Sequence, residues 1–334
     1  MSDHTWGVLS NQAITAAGVV YFLALLCALV EWSAWLSRAK AAAATKELVG
    51  AGAPAGEVVP ADPAADVREY RAALFGRLSL MLTAIAVVCH LGALIARGMA
   101  ADPNRVPWGN MYEFTISGSF VVTAAYVVLY RRLKLAWMAP WVLGFTVVVL
   151  MLAVVGLYEP VAPLTEALNS YWLVIHVIAA IIATGGFTLG GIASAAYLLK
   201  ARFPDATLLA RVPELEALDR VSYRIHAFAF PVWTFGVLIS GPIWAHEAWG
   251  SYWNWDPKEV WAFITWVVYA GYLHARATAG WKGKKAAIVA LIGLATLWFN
   301  FVGINYFSST SQHSYAAPAA PAVVELTIPE GAPR

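Results

Sequence analysis

Eight apolar runs alternate with polar stretches along this chain, at roughly residues 13–36, 74–98, 112–131, 137–157, 172–199, 226–245, 259–276 and 286–306. A helix needs about 20 apolar residues to cross ~30 Å of hydrocarbon. A segment in lipid must also satisfy its own backbone polar groups. The pattern therefore predicts an all-α, polytopic integral membrane protein with about eight transmembrane helices. Residues 40–66 are rich in Ala, Gly and Pro and lack an apolar period, which predicts a disordered linker. Between charges, Leu208, Leu209, Val212, Leu215, Leu218 and Val221 recur at helical spacing, predicting an amphipathic helix at the membrane surface over 205–224. Three regions result: a first helix with its linker (1–73), a helical body (74–315) and an Ala/Pro-rich, disordered tail (316–334).

Composition supports the membrane reading, and charge orients it. The chain is 60% hydrophobic and 13% charged, against about 25% charged in a soluble domain. A net charge of +2 gives no basis for nucleic-acid binding. The loops at 37–73, 132–136, 200–225 and 277–285, with nearby helix ends, hold 18 of the 22 Lys and Arg. Cytoplasmic loops collect positive charge, so both termini are expected outside the cell membrane, together with the linker between runs six and seven. Asp3 and His4 precede the first run while Arg38 and Lys40 follow it, the pattern of an N-out anchor rather than an export signal.

That external linker is the most distinctive stretch. Residues 244–266 carry six of the 16 tryptophans, and their centre, GSYWNWDPKE, is too polar for lipid. Trp249, Tyr252, Trp253 and Trp255 are expected to stack on a large planar ligand such as a porphyrin, since aromatic faces bury much area with few rotamers to freeze. Trp244, Trp261 and Trp266 suit an interfacial belt or span packing. Asp256-Pro257-Lys258-Glu259 reads as a helix start: an N-cap, a proline in the first turn and a capping-box glutamate. Asp256 is also a candidate for contact with the ligand. Of the external cations, Arg105 reads as surface charge, while Arg97 and Lys258 are either surface charges or partners for propionates. Asn110 or Glu113 caps the third span.

The predicted topology gives each histidine a depth. His176 and His313 lie externally and can flank the tryptophan shelf; two imidazoles on opposite porphyrin faces would saturate an iron axially. His274 lies at the cytoplasmic end, ~30 Å away, and needs a different iron. His226 shares that depth, and an inner site using both is the lesser alternative. His90 reads as a hydrogen-bonded histidine within its span. Gly185, Gly186, Gly190 and Gly191 read as a packing groove. Cys27 and Cys89 sit in apolar runs, and the chain contains neither CxxC nor CxxCH.

WGSYWNWDPKE, followed by VWAFITWVVYAGYLHAR, resembles the tryptophan-rich "WWD" signature of haem-handling proteins, most of all the CcsA (ResC-type) family of system II cytochrome c biogenesis. WGNMYEF at 108–114, YWLVIHV at 171–177 and LDRVSYR at 218–224 extend the resemblance across residues 74–315. It implies a cytochrome c haem lyase component that handles haem b as ligand and substrate. His176 and His313 are then the outer haem ligands and His274 a ligand of an inner haem, whose second ligand comes from a ResB-type (also labelled CcsB) membrane subunit. Further implied partners are apocytochrome c with its CxxCH, a thiol-reducing thioredoxin-like protein and membrane lipid. Alternatives remain: a CcmC-like protein delivering haem to a separate ligase, a b-type dihaem electron carrier, and a solute transporter with an aromatic vestibule.

Overall fold

Long apolar runs with few internal breakers form long helices, and in the computed structural model helices cover every one of the eight runs. The structure describes residues 1–50, 65–162, 170–308 and 310–313; of these, the side chains at 39, 40 and 42–50 are not described. The helices are α1 (Asp3–Gly50), α2 (Ala65–Met99), α3 (Met111–Leu129), α4 (Ala139–Gly156), α5 (Tyr171–Arg202), α6 (Leu215–Thr234), α7 (Gly241–Trp249), α8 (Pro257–Thr278), α9 (Lys284–Trp298) and the single turn α10 (Ile304–Phe307). Two π-helical segments, Phe235–Ser240 and Phe299–Gly303, join α6 to α7 and α9 to α10 without a break in the rod.

Seven of these rods are long and apolar enough to cross a membrane: Asp3–Arg38, Ala65–Met99, Met111–Leu129, Leu135–Gly156, Tyr171–Arg202, Leu215–Trp249 and Lys284–Phe307. The chain is a multi-pass membrane protein. Helix α8, the predicted seventh span, has 22 residues, about 33 Å at 1.5 Å per residue. Its tryptophans, tyrosines, His274 and Arg276 dilute its apolar character.

Two sequence expectations are corrected. Residues 205–224 do not make a separate surface helix. Pro213 lacks an amide proton and biases its predecessor away from the helical region, so the helix starts at Leu215 and continues into the sixth span. Residues 206–212 instead pack on α1: the Leu208 carbonyl accepts from Trp32 Nε1 at 2.9 Å, and Arg211 pairs with Glu31. The expected linker is also partly helical. The Ala/Lys-rich stretch to Gly50 continues α1, as its helix propensity favours, and α2 begins at Ala65; residues 51–64 lie outside the described residues, as does the tail from 314.

Helices α1 and α2 form an antiparallel pair: Ser10 Oγ donates to the Ala93 carbonyl and Ser79 Oγ to that of Ala24. They pack with α3, α4 and one face of α5 around one buried cluster. A second cluster joins α5, α6, α8 and α9. Helix α5 is the hub of both, and its glycines explain how. A Cβ on Gly185 would lie 2.8 Å from Val121 of α3. One on Gly186 would lie 2.9 Å from Ala229, and one on Gly190 2.5 Å from the His226 ring, both on α6. One on Gly191 would lie 2.5 Å from Leu294 of α9. The four glycines let three helices approach a single backbone.

The bundle has two chemically distinct ends. At one, Arg276 holds Asp219 with two bonds of 2.7 and 2.9 Å, Asp219 accepts from the Gly283 amide, and Glu31 meets Arg211. At the other, Trp108, Leu173, Val177, Ile181 and Trp244 form a third buried cluster. The ends of α2, α3, α5, α7 and α8 meet there.

Candidate functional site

The loop between α7 and α8 is built by two local devices. Gly250 ends α7 in the left-handed region (φ 74°), its amide bonding the His246 carbonyl at 2.9 Å, the C-terminal cap for which glycine carries no Cβ penalty. Asp256 starts α8 with the expected capping box: Asp256 Oδ1 accepts from the Lys258 amide at 2.9 Å, and Glu259 Oε2 accepts from the Asp256 amide at 3.1 Å.

Asp256 does more than cap. Three consecutive residues of the segment after α10 converge on its carboxylate: Ser311 Oγ at 2.9 Å, the Gln312 amide at 2.7 Å and His313 Nδ1 at 3.1 Å. Burial alone would raise the Asp256 pKa; the hydrogen bond from His313, with the amides of Lys258 and Gln312, outweighs it and brings the group down to about 2. The carboxylate stands behind His313 and is not part of the cavity wall described below.

His176 is placed by α5, whose first turn is capped by Ser170 Oγ accepting from the Trp172 amide. Its Nδ1 donates to the Gly236 carbonyl at 2.7 Å, in the first π-helical segment. A carbonyl only accepts, so Nδ1 carries the proton and Nε2 keeps its lone pair. The two histidines meet through Trp244. His176 stacks on the indole (centroids 5.8 Å, 15° between planes), and His313 meets it edgewise at 5.4 Å and Trp249 at 4.8 Å.

Both imidazoles line one cavity, which extends from Tyr252 and Trp253 of the loop, past Trp108 and Lys258, inward to Thr184, Ala262 and Leu297 within the helices. Its empty space, open mouth included, is about 1250 Å³. Two Nδ1 atoms anchored on oxygen acceptors, two Nε2 atoms left for a metal and aromatic walls fit a bis-imidazole porphyrin complex.

The structure divides the remaining predicted site residues. Tyr252 and Trp253 form the wall. Trp249 backs His313 instead of facing the cavity. Trp255 points outward, 72% exposed with φ 57°, and takes no part in the wall. Trp244, expected as belt or packing, is 2% exposed and connects the two histidines; its spacing in the sequence does not separate it from a belt tryptophan. Trp108, Met111, Phe114 and Trp233 also enter the wall from helices remote in sequence. His274 lies exposed on α8. His226 is sealed among Phe187, Tyr269 and Tyr272, its Nδ1 on the Ser222 carbonyl at 2.7 Å, so the structure does not bring it to the exposed His274. His90 is buried beside Tyr21 and Phe120. Arg97 and Arg105 both bind Glu113, at 2.9 and 2.7 Å, while Asn110 caps α3 by accepting from the Glu113 amide.

The profile of a known family, described as Cytochrome C assembly protein, matches residues 108–311. The chain belongs to that family. The matched stretch opens at Trp108 in the cavity wall and closes at Ser311 on the Asp256 carboxylate, so it covers His176, Trp244 and Asp256 and stops two residues short of His313. Members similar to the chain include the cytochrome c biogenesis proteins CcsA of Gloeobacter violaceus, 31% identical over 309 residues (74% of this chain, 90% of the relative), and of Microcystis aeruginosa, 33% identical over 284 residues (70% and 85%). The CcsA of Chlamydomonas reinhardtii is 43% identical over 157 residues, 47% of this chain but only 44% of that protein's length. Among solved structures, the cytochrome c haem lyase CcmF shares the fold: TM-score 0.62 and 15% identity, covering 90% of this chain and 47% of that one.

Proposed function

We propose that this chain binds haem b between His176 and His313 on the outer side of the cell membrane and presents it to apocytochrome c, whose two CxxCH cysteines add to the haem vinyls. One observation carries the reading: two imidazoles, each anchored through Nδ1, border one aromatic-walled cavity. Haem supplies its own electrophilic vinyls; in each addition S–C and C–H bonds form while the S–H bond and the vinyl C=C π bond break, with no net oxidation. The chain's part is positional. Tyr252 and Trp253 offer flat faces, and Trp244 fixes the His176 ring plane. Pinning a reactant in one orientation removes much of the entropic barrier to a bimolecular step. Binding the substrate's own thiols requires no nucleophile from this chain.

His274 extends the reading to the far end of the bundle. An exposed histidine on a helix face is suited to share an inner haem with a histidine of a ResB-type membrane subunit. Such polar groups in or beside spans mark function by default. The substrate cysteines must arrive reduced, which assigns a thioredoxin-like reductant to the pathway, because this chain lacks CxxC.

The test is the haem spectrum of the complex purified with its partner. His176→Ala and His313→Ala should each abolish the low-spin signal of one haem pool, and His274→Ala that of another. Unchanged content and spectra in all three variants would refute the assignment. Haem bound normally without thioether formation, in the presence of reduced apocytochrome, would identify a delivery protein instead.

A further inference from the structure

We infer that the two outer histidines are held unequally: Asp256 makes His313 the retained ligand, and His176 is the one surrendered to the incoming CxxCH histidine. The inference rests on the haem-binding reading above, and it concerns what stands behind each ring.

His313 Nδ1 faces a carboxylate. A charged acceptor pulls the Nδ1 proton, gives the ring imidazolate character and strengthens Nε2 as a donor to ferric iron. His176 Nδ1 faces a neutral carbonyl, and that carbonyl is shared. The Gly236 oxygen also accepts from Ser240 Oγ at 2.9 Å and from the Gly241 amide. Distance alone favours the opposite order, 2.7 Å for His176 against 3.1 Å for His313. Charge decides, because bonds to ionised acceptors are roughly twice as strong as neutral ones. Asp256 Oδ1 also has several donors, but those bonds orient the carboxylate without removing its charge.

The mechanical settings agree. Ser311, Gln312 and His313 bind the same carboxylate, so His313 is tied to the start of α8 through three neighbouring contacts. His176 lies flat on Trp244, a surface on which the ring can rest once its bond to iron is gone. The exchange is one imidazole for another: an iron–nitrogen bond to His176 breaks and one to the substrate histidine forms, with no electron transferred.

The test uses the haem-loaded complex with its partner subunit and free imidazole as the probe. His176→Gly should keep its outer haem and regain the six-coordinate low-spin spectrum when imidazole is added. His313→Gly should retain about 10–100-fold less haem, the usual range for losing a support of a metal ligand. Asp256→Asn, which preserves N-capping, should erase most of that difference between the two glycine variants and raise the haem reduction potential. Equal haem retention by the two glycine variants, or an unchanged potential in Asp256→Asn, would overturn the inequality while leaving the haem site intact. A wild-type complex without a six-coordinate low-spin spectrum would overturn the haem site and the inequality together.

Discussion

Two buried carboxylates organise the outer end of the bundle, and they do it differently. Asp256 gathers the start of α8 and the segment bearing His313. Glu113 gathers Arg97 from α2, Arg105 from the α2–α3 loop and the Gly109 amide, while Arg97 also reaches the Glu159 carbonyl. Glu113 is wholly buried and Arg97 nearly so. Removing one member of such a set strands a buried charge, at a cost of about 3–5 kcal/mol. Glu113→Gln should therefore lower the thermal midpoint of the detergent-purified protein well below that of a surface control. A shift within the error of the control would show that the network is solvated and structurally minor. The cap at Asp256 could be read from DPKE alone, because capping depends on residues three apart. The bond from His313 could not, because 57 residues separate the partners.

At the scale of the element, the two π-helical segments share a location. Phe235–Ser240 supplies the carbonyl under His176, and Phe299–Gly303 precedes the segment that carries His313. Each widens a helical turn beside the cavity, a departure from α geometry common at functional sites. Gly241 is the tightest point of the first. A Cβ there would sit 3.0 Å from His176 Nδ1 and 3.1 Å from the Gly236 oxygen. Gly241→Ala should shift the ring and move the outer haem from six-coordinate low-spin toward five-coordinate high-spin, with helix content by circular dichroism unchanged. An unchanged low-spin spectrum would mean that the bulge is not what positions His176. No apolar period announces a π turn, since one inserted residue leaves the composition of the run intact. Pro213, by contrast, marks a boundary openly in the sequence, and the structure places the start of α6 just beyond it.

For the whole molecule, the open matter of topology is physical and can be measured. The charge asymmetry of the sequence leads to the expectation that the termini and the tryptophan loop lie outside, with α8 crossing the bilayer despite its polar residues. In a Cys27→Ala/Cys89→Ala background, Asn254→Cys and Lys282→Cys bracket α8. A membrane-impermeant maleimide applied to intact cells should label Asn254→Cys and Thr5→Cys but not Lys282→Cys. Labelling of both bracketing sites from one side would show that α8 does not cross. From sequence alone, the class of fold was determined, with the helical runs, the cap at Asp256 and the aromatic loop. Hydrophobic length, charge and capping are local properties, so one dimension suffices to read them. Only the tertiary structure decided that Trp244 joins the two histidines, that Trp255 faces outward, that Arg97 and Arg105 are committed to Glu113, and that Asp256 stands behind His313. Those outcomes depend on which faces of distant helices meet, and four glycines of α5 set that meeting by letting three neighbours close on one backbone.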